Sequence, residues 1–595
     1  MKQSRFTFLI LALISPSVAH ALDGKVLDAE TDLAIRDVMI TAAESGHMTV
    51  TDSVGAFSIH TPNGESLTFS RIGYADHTRR FDRQAGLVVV RLHPRPIPMQ
   101  RMDVLGRADS AEDIARHPAF STVIDRESFG HVTSLPEILD RATGLQVQSL
   151  GGLGAFSTIS VRGSSSEQVE VYLDDVLLNA AVGGGVNLSN LPLANISRIE
   201  VTRGAGQDGN GLGGSVHITT RDSDSTRRSI SGSWGSFDTR GFNAVASGVV
   251  NRTRYLLIGD YASSDNNFGF LDDNGTEYNL NDDQFTDRRN SDLSSGSLLG
   301  KATIDLQDSR SLTLSQTLFW KRQGVPGISN NQTTATRFDA FRSMTQLSIE
   351  DRGLAHRIVA KGSIYFTHLG ESFVDSLGEI GTGRQDNRYR TRTVGIRTRT
   401  KWVASQNHLL TIHTDIRRET YSPTARIQLI TPLFASVRWT VLTRPAADLS
   451  FFNDRLAWSS SVDFRHQRSR FRGRNPFAFS PQAPDSLNTR NLTGVRSGIR
   501  ADVYGPLTLK ANGARSSRAP SFFELFGDRG SVVGNTGLEP ESAVTWDAGF
   551  RLAHQTGWVE GVYFDHRYDN LIQFAQTSQA TSRPVNIGKA RVRGI

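Results

Sequence analysis

The stretch Ile159–Arg221 decides how the rest of this chain is read. It runs I-S-V-R-G-S-S-S-E-Q-V-E-V-Y-L-D-D-V-L-L-N (159–179), N-L-S-N-L-P-L-A-N-I-S-R-I-E-V-T-R-G (187–204) and L-G-G-S-V-H-I-T-T-R (212–221). Short β-prone runs are punctuated by Gly, Asn and Asp, as in strands joined by turns. Gly209-x-Gly211-x-x-Gly214 follows the strand-like run Ile199–Arg203 and has the spacing of a dinucleotide fingerprint. What comes next, Ser215–Thr220, is strand-like, whereas the fingerprint needs a helix N-terminus for the pyrophosphate. The glycines are read instead as places where backbone turns tightly and packs closely.

Working outward, 595 residues suggest several domains. Lys2 and Arg5 followed by the apolar run Phe6–Ile14 and by Ala19-His20-Ala21 predict a secretory signal peptide over 1–21. No other apolar run approaches the ~18 residues of a spanning helix. There is no cysteine, which excludes disulfides, thiolate zinc sites and cysteine nucleophiles. A formal charge of +6 without a long basic block gives no reason to expect a nucleic-acid partner. No metalloprotease, nucleophile-elbow or phosphate-loop motif occurs, and the 15 histidines lack metal-ligand spacing. No enzyme activity and no cofactor are expected.

Residues 22–95 predict a small β-sandwich, with strands at Gly24–Asp28, Val38–Ala42, Met48–Thr51, Ala56–His60, Ser66–Ile72 and Leu87–Leu92. Pro94, Pro96 and Pro98 open an extended linker over 96–107. Ser134-Leu135-Pro136-Glu137 reads as a helix start. From 223 the texture becomes alternating: Val544, Trp546, Ala548 and Phe550 interleave with Thr545, Asp547, Gly549 and Arg551. Leu312–Trp320 and Arg357–Phe366 repeat the pattern, with Phe319 and Val359 on the polar side. All seven tryptophans fall after 223. Such alternation, with aromatics placed for membrane interfaces, predicts a transmembrane antiparallel β-barrel.

Taken together, Arg162-Gly163, Val171–Asn179, Ile199–Gly204 and Gly213–Thr220 resemble the plug domain of TonB-dependent outer-membrane receptors. Arg518–Gly527, Leu538-Glu539-Pro540-Glu541 and Asn586–Ala590 resemble that family's barrel. Gly24–Asp28, Thr51-Asp52-x-x-Gly55-x-Phe57 and Leu67–Tyr74 resemble a carboxypeptidase regulatory-like domain, which implies no peptidase. The resemblance implies an all-β dominated chain: a small N-terminal β-sandwich over 22–95, an α+β plug over 108–222 and a barrel over 223–595. Its barrels have 22 strands. At roughly 22–25 residues per strand and connection, the 373 residues from 223 to 595 give about 15–17 strands. The barrel is therefore expected to be incomplete here, as a fragment or a truncation.

The resemblance also implies a function: energy-coupled uptake of a scarce, large nutrient across the bacterial outer membrane. Its partners would be the TonB–ExbB–ExbD energy-coupling complex, outer-membrane lipid and a cobalamin-type or metal-chelate ligand such as a ferric siderophore. A passive porin-like channel and a non-transporting surface-binding protein are the alternatives. Met102-Asp103-Val104-Leu105 is either the TonB box, which pairs by strand addition, or linker or first plug strand. Asn179, Ala180, Ala181, Val182, Gly183, Gly184, Gly185 and Asn187 form a loop at the plug's outer tip that either touches substrate or is only a turn. Arg162 and Arg203 of the plug and Glu541 of the barrel either lock plug to barrel or are solvated lumen charges. Asp272, Asp273, Asp282 and Asp283 lie in an Asp-rich stretch that is either a calcium loop or a solvated external loop.

Overall fold

Successive side chains of a strand point to opposite faces, so alternation in the sequence decides which residues share a face. The computed structural model describes residues 20–595 except 62–63, 72–73, 82–86, 94–116, 131, 133, 180–184, 205–210, 224, 277, 308, 329–330, 355–356, 381–382, 406, 428–434, 473–484, 529–531, 555–556 and 578–581. Met102–Leu105 and all but the last two residues of the expected signal peptide lie outside the described residues. The chain divides into two compact units, Met1–Arg107 and Ala108–Ile595.

The first unit holds two small sheets. One runs Ala56–Thr61, His20–Asp28, Val88–Leu92; the other runs Met48–Val50, Met39–Ala42, Ser66–Ser70, His77–Arg80. His77–Arg80 has no counterpart among the expected strands; three of its four residues are exposed, so it lacks an alternating signature. Val26, Ile40, Leu67, Phe69 and Leu92 are fully buried in the core of this unit.

In the second unit a five-stranded sheet runs Val176–Leu177, Val169–Leu173, Gly214–Thr220, Ile196–Arg203, Phe120–Asp125, beside the hairpin Leu145–Ser149/Ser157–Val161. Helix Leu135–Asp140 starts after Ser134 as expected, although the Ser134 side chain makes no capping hydrogen bond. Ser215–Thr220 is strand, which disposes of the dinucleotide reading. A Cβ on Gly211 would lie 2.1 Å from the Gly214 carbonyl, so close packing does require that glycine.

Around this plug runs a sheet of eighteen strands, from Arg227–Gly235 to Ser582–Gly594. Two of them, Gly527–Asp528 and Val532–Val533, are two-residue pieces, which leaves sixteen long strands. Among the described residues the two terminal long strands do not pair with each other. Connections alternate in length: 251–252, 406–407 and 505–506 at one end, 265–292, 426–434 and 473–484 at the other. Short turns at one rim and long loops at the other are what a membrane barrel presents.

The wall is inverted relative to a soluble sheet. Val544, Trp546 and Phe550 are exposed, whereas Thr545 and Asp547 are buried. Along Gln385–Ser405, Asn387, Tyr389 and Arg397 face inward while Val394, Ile396 and Trp402 face out. All seven tryptophans are exposed. Trp402, Trp458 and Trp558 lie near the short-turn rim, and Trp234, Trp320 and Trp439 lie toward the other. Phe319 and Val359, the exceptions in the sequence pattern, are buried on the inward face. No described helix is long and apolar enough to cross a membrane.

Phe69 packs edge-on between Phe57 and Phe81, with centroids 5.6 and 6.1 Å away. Phe69→Ala is expected to destabilise the first unit by ~3–5 kcal/mol. Pulse proteolysis of the full chain, reading cuts between 20 and 92, checks this; unchanged cutting would count against a core built on Phe69.

Candidate functional site

The polar inner face of the wall meets the plug through a few buried contacts. Arg162 ends strand Ser157–Val161 in a left-handed conformation (φ 49°), followed by Gly163 (φ 75°). Its Nη1 donates to Asp547 Oδ2 at 2.8 Å, with the two side chains only 5% and 2% exposed. The guanidinium also lies 4.7 Å from the centre of the Phe564 ring. The other oxygen of Asp547 accepts from Asn512 Nδ2 (3.0 Å), which also donates to the Pro118 carbonyl (2.9 Å). A buried pair with its remaining hydrogen-bonding capacity filled is the form that survives desolvation.

Glu541 does not join this lock. It lies opposite Arg518 in the strand register and accepts from Arg518 Nε at 2.7 Å and from the Ile572 N–H at 2.6 Å. Arg518 in turn holds Glu524 through both Nη atoms, at 3.0 and 2.8 Å. Asp547 is six residues further along the same strand and on the same inward face, roughly 20 Å nearer the short-turn rim at ~3.4 Å per residue. Arg203 also stays apart: its Nε donates to the Thr143 carbonyl (2.8 Å) and its Nη2 to the Thr122 hydroxyl, both within the plug. Of the three expected lock residues, Arg162 alone crosses to the wall.

Other ties escaped the sequence reading. Glu170 meets Arg465 at 3.3 Å, Asp174 meets Lys301 at 3.5 Å and Asp175 meets Lys361 at 2.8 Å. Lys321 Nζ donates to the Gly154 carbonyl and the Ser189 hydroxyl, both at 3.0 Å, and Lys510 Nζ to the Ala119 carbonyl at 3.4 Å. A signal was present: the chain has only eight lysines among 66 basic residues, none of them between Lys25 and Lys301. Four of the eight touch the plug.

The loop expected at the plug tip is described only at its feet; Ala180–Gly184 lie outside the described residues. Asn179 braces its own sheet, accepting from the Val171 N–H (2.7 Å) and donating to the Val169 carbonyl (2.9 Å). Asn187 Oδ1 accepts from the N–H groups of Ser157 and Ser189 at 3.1 and 3.2 Å. A Cβ on Gly185 would lie 2.7 Å from Ser166 Oγ. Plug residues Glu170 and Asn179 and wall residues Arg417, Arg438 and Arg465 line a cavity of about 70 Å³. That space holds roughly five to seven waters at ~10–15 Å³ each, far less than a whole metal chelate.

The Asp-rich stretch folds as a hairpin, Gly269–Asp272 with Gln284–Asp287, at the long-loop rim. Asp272 and Asp273 accept backbone N–H bonds from Asn274 and Gly275, and Asp282 accepts from the Thr276 hydroxyl. No group of three or more acidic or histidine side chains converges there or elsewhere among the described residues. At the same rim Glu379 clamps a neighbouring connection. It accepts from the Thr334 hydroxyl (2.6 Å) and N–H (2.7 Å), the Ala335 N–H (3.0 Å) and the Thr336 hydroxyl (2.9 Å). Those hydrogen bonds, the Thr334 hydroxyl foremost, bring its pKa down to about 2.

Residues 207–595 match the family model described as "TonB dependent receptor-like, beta-barrel", well over half of the chain, and residues 113–215 match "TonB-dependent Receptor Plug Domain". The chain belongs to the TonB-dependent receptor family. Its fold is similar to that of the Serratia marcescens hemophore receptor HasR, solved with its hemophore HasA and heme, at 16% identity and a TM-score of 0.64, covering 81% of this chain and 79% of that one. The copper transporter OprC (13%, TM-score 0.67, 80% and 75%) and the FrpB iron transporter of Neisseria meningitidis (15%, TM-score 0.63, 79% and 75%) are similar in the same way. TonB-dependent receptors are outer-membrane proteins of transport rather than enzymes.

Two predictions concern the receptor's ties. Asp547→Ala strands a buried Arg162 and is expected to loosen plug seating by ~3–5 kcal/mol, with partial recovery in the Arg162→Met/Asp547→Leu double variant. Hydrogen exchange at Ile196–Arg203 reads this; unaltered exchange in Asp547→Ala would sink the idea that this pair seats the plug. For Glu379 the folded pKa is depressed, so its clamp is in full force above the unfolded value of ~4.3 and is lost as pH falls toward about 2. Protection of the Thr334 and Ala335 amides, taken relative to their intrinsic exchange rate at each pH, should fall as pH drops across that window in the wild type and be lower and independent of pH in Glu379→Gln.

Proposed function

We propose that this receptor takes up a scarce, large nutrient under energy supplied by the TonB–ExbB–ExbD complex, after export through the 1–21 signal peptide. The observation that carries the reading is the seated plug. The cavity lined by Glu170 and Asn179 of the plug and Arg417, Arg438 and Arg465 of the wall has room for a few waters only, which suits a large ligand passing by movement of the plug. A plug held by a handful of buried polar ties, with Arg162–Asp547 the most enclosed, is suited to yield to a directed pull. In this reading the ligand docks at the long-loop rim over the plug tip. The pull arrives through Met102–Leu105, which pairs as an added strand with the coupling protein. Of the two ligand classes expected from sequence, a metal chelate is favoured over a cobalamin-type ligand. Solved proteins of like fold carry names that speak of heme, iron, copper and ferric citrate.

A strand added edge to edge needs its backbone N–H groups, so proline in the coupling segment blocks it without touching the ligand face. Val104→Pro is expected to abolish uptake of a radiolabelled ferric chelate by whole cells while leaving cell-surface binding unchanged. Uptake that persists in Val104→Pro and without TonB would favour the passive channel. Binding with no uptake in the wild type would favour the surface-binding protein.

A further inference from the structure

Outward-facing arginines gather on one sector of the wall, toward the long-loop rim. On Gln385–Ser405, Arg388, Arg390 and Arg392 are exposed, while Asn387, Tyr389 and Thr391 between them are buried. The three share the outward face with Val394 and Ile396, so this face is basic near the long loops and apolar below them. Strand register extends the patch sideways. Arg392 stands opposite Thr420, Thr420 opposite Val437, and Val437 opposite Arg470. One step toward the short turns, Val394, Arg418, Trp439 and Arg468 follow one another in the same way. From Arg392 to Arg470 is three strand spacings, roughly 14 Å at ~4.8 Å each. The Arg418 guanidinium lies 6.0 Å from the centre of the Trp439 ring.

The patch has edges. On the next strand, Asp485–Tyr504, Leu487 and Thr489 stand opposite Arg470 and Arg468 and are uncharged. On the other side, Gly370 and Ser372 of Ile358–Asp375 stand opposite Arg390 and Arg388. Toward the short-turn rim the outward face of Gln385–Ser405 continues as Thr398, Thr400 and Trp402. The patch is also short of carboxylates. Arg390, Arg392, Arg418 and Arg468 form no ion pair among the described residues. Arg388 has Asp386 at 3.9 Å, a carboxylate shared with Arg426 at 4.0 Å. The connections next to these strands, 426–434 and 473–484, contain no Asp or Glu with which to neutralise them.

A charge beside hydrocarbon is costly, and a long side chain relieves that cost by carrying its head to the interface. The counter-charge available there is the headgroup phosphate of a lipid, whose oxygens fit the planar guanidinium fork. Basic clusters bordering a hydrocarbon zone recognise anionic headgroups on this principle. We propose that Arg388, Arg390, Arg392, Arg418 and Arg468 form a docking strip for the phosphate groups of an acylated lipid in the leaflet at the long-loop rim, with its chains along Val394, Ile396 and Trp439. The strip is on the outer surface of the wall and does not depend on the uptake reading.

The test is native mass spectrometry of the purified full-length receptor in neutral detergent. It is titrated with lipid A, a glucosamine disaccharide carrying acyl chains and phosphates, and with the same lipid after dephosphorylation. A saturable complex with the phosphorylated lipid is expected. Affinity should fall about tenfold or more for the dephosphorylated lipid, and likewise in the fourfold variant Arg390→Gln/Arg392→Gln/Arg418→Gln/Arg468→Gln. Arg240→Gln/Arg322→Gln removes exposed arginines from the same rim outside the strip and should bind as the wild type does. No saturable binding, or equal affinity for the dephosphorylated lipid, overturns the proposal. Undiminished binding in the fourfold variant, or an equal loss in the Arg240/Arg322 pair, overturns the location. Should the fourfold variant not fold, Arg390→Gln/Arg392→Gln and the dephosphorylated lipid carry the test. The readout needs neither transported ligand nor energy coupling, so lost uptake with intact lipid binding would count against the transport reading only, and intact uptake without lipid binding against this strip only.

Discussion

Hydrocarbon offers no hydrogen bonds, and that constraint governs the second unit. A strand facing lipid must satisfy its backbone from its neighbours, so the chain from Arg227 to Gly594 is laid out as one antiparallel ladder. The same constraint sends apolar side chains outward: Ile364, Val394, Ile396, Trp439 and Phe464 are all exposed on the wall. The polar side chains then have only the interior left to occupy. Asp415, Asp463, Asp547, Arg444 and Arg496 are buried there, and such charges persist only where they meet each other or the plug. The plug is thus bound to a surface whose polarity was set by the membrane.

This division explains how a filled interior can stay separable. The plug's core of Leu135, Leu139, Ile159, Val171, Ile199 and Val216 is nearly its own; only Met344 and Tyr365 of the wall belong to that cluster. Withdrawing the plug would leave most of its apolar burial in place; the contacts broken would be hydrogen bonds and ion pairs that water can replace, together with a few apolar ones such as Leu212 against Ala543 and Tyr568. Buried ion pairs gain little over their desolvation cost, so a wall joined by them is a weaker barrier to separation than an apolar interface of the same area.

Period-two alternation made the wall legible, because its two faces see opposite solvents; Val544–Arg551 was assigned to faces residue by residue from sequence alone. The short, half-exposed strand His77–Arg80 was not, because nothing in its pattern distinguishes inside from outside. For the site, the resemblance set Arg162 and Arg203 against Glu541, whereas Arg162 pairs with Asp547, six residues along the same strand as Glu541. Both residues obey the same alternation, and only the register across Arg518 shows that Glu541 is already taken. Asn179 and Asn187, at the feet of the loop expected either to touch substrate or to be only a turn, bond neighbouring backbone through their amides. Side-chain pairing across several hundred residues leaves no local trace in a single sequence.

The distribution of the two basic residues does leave one. Arginine's fork cross-braces the wall: Arg444 and Arg496 both grip Asp463, and Arg397 and Arg417 both grip Asp415. Lysine, a rotatable point charge, is rare in the chain and is concentrated where wall meets plug, on Asp174, Asp175 and the carbonyls of Ala119 and Gly154. Planar multi-point contacts resist shear, whereas a single ammonium contact can swing to another acceptor or to water as its partner slides. A wall stiffened by arginine around a plug held by four lysines, beside Arg162–Asp547 and Arg465–Glu170, has most of its compliance at the contacts a moving plug must break.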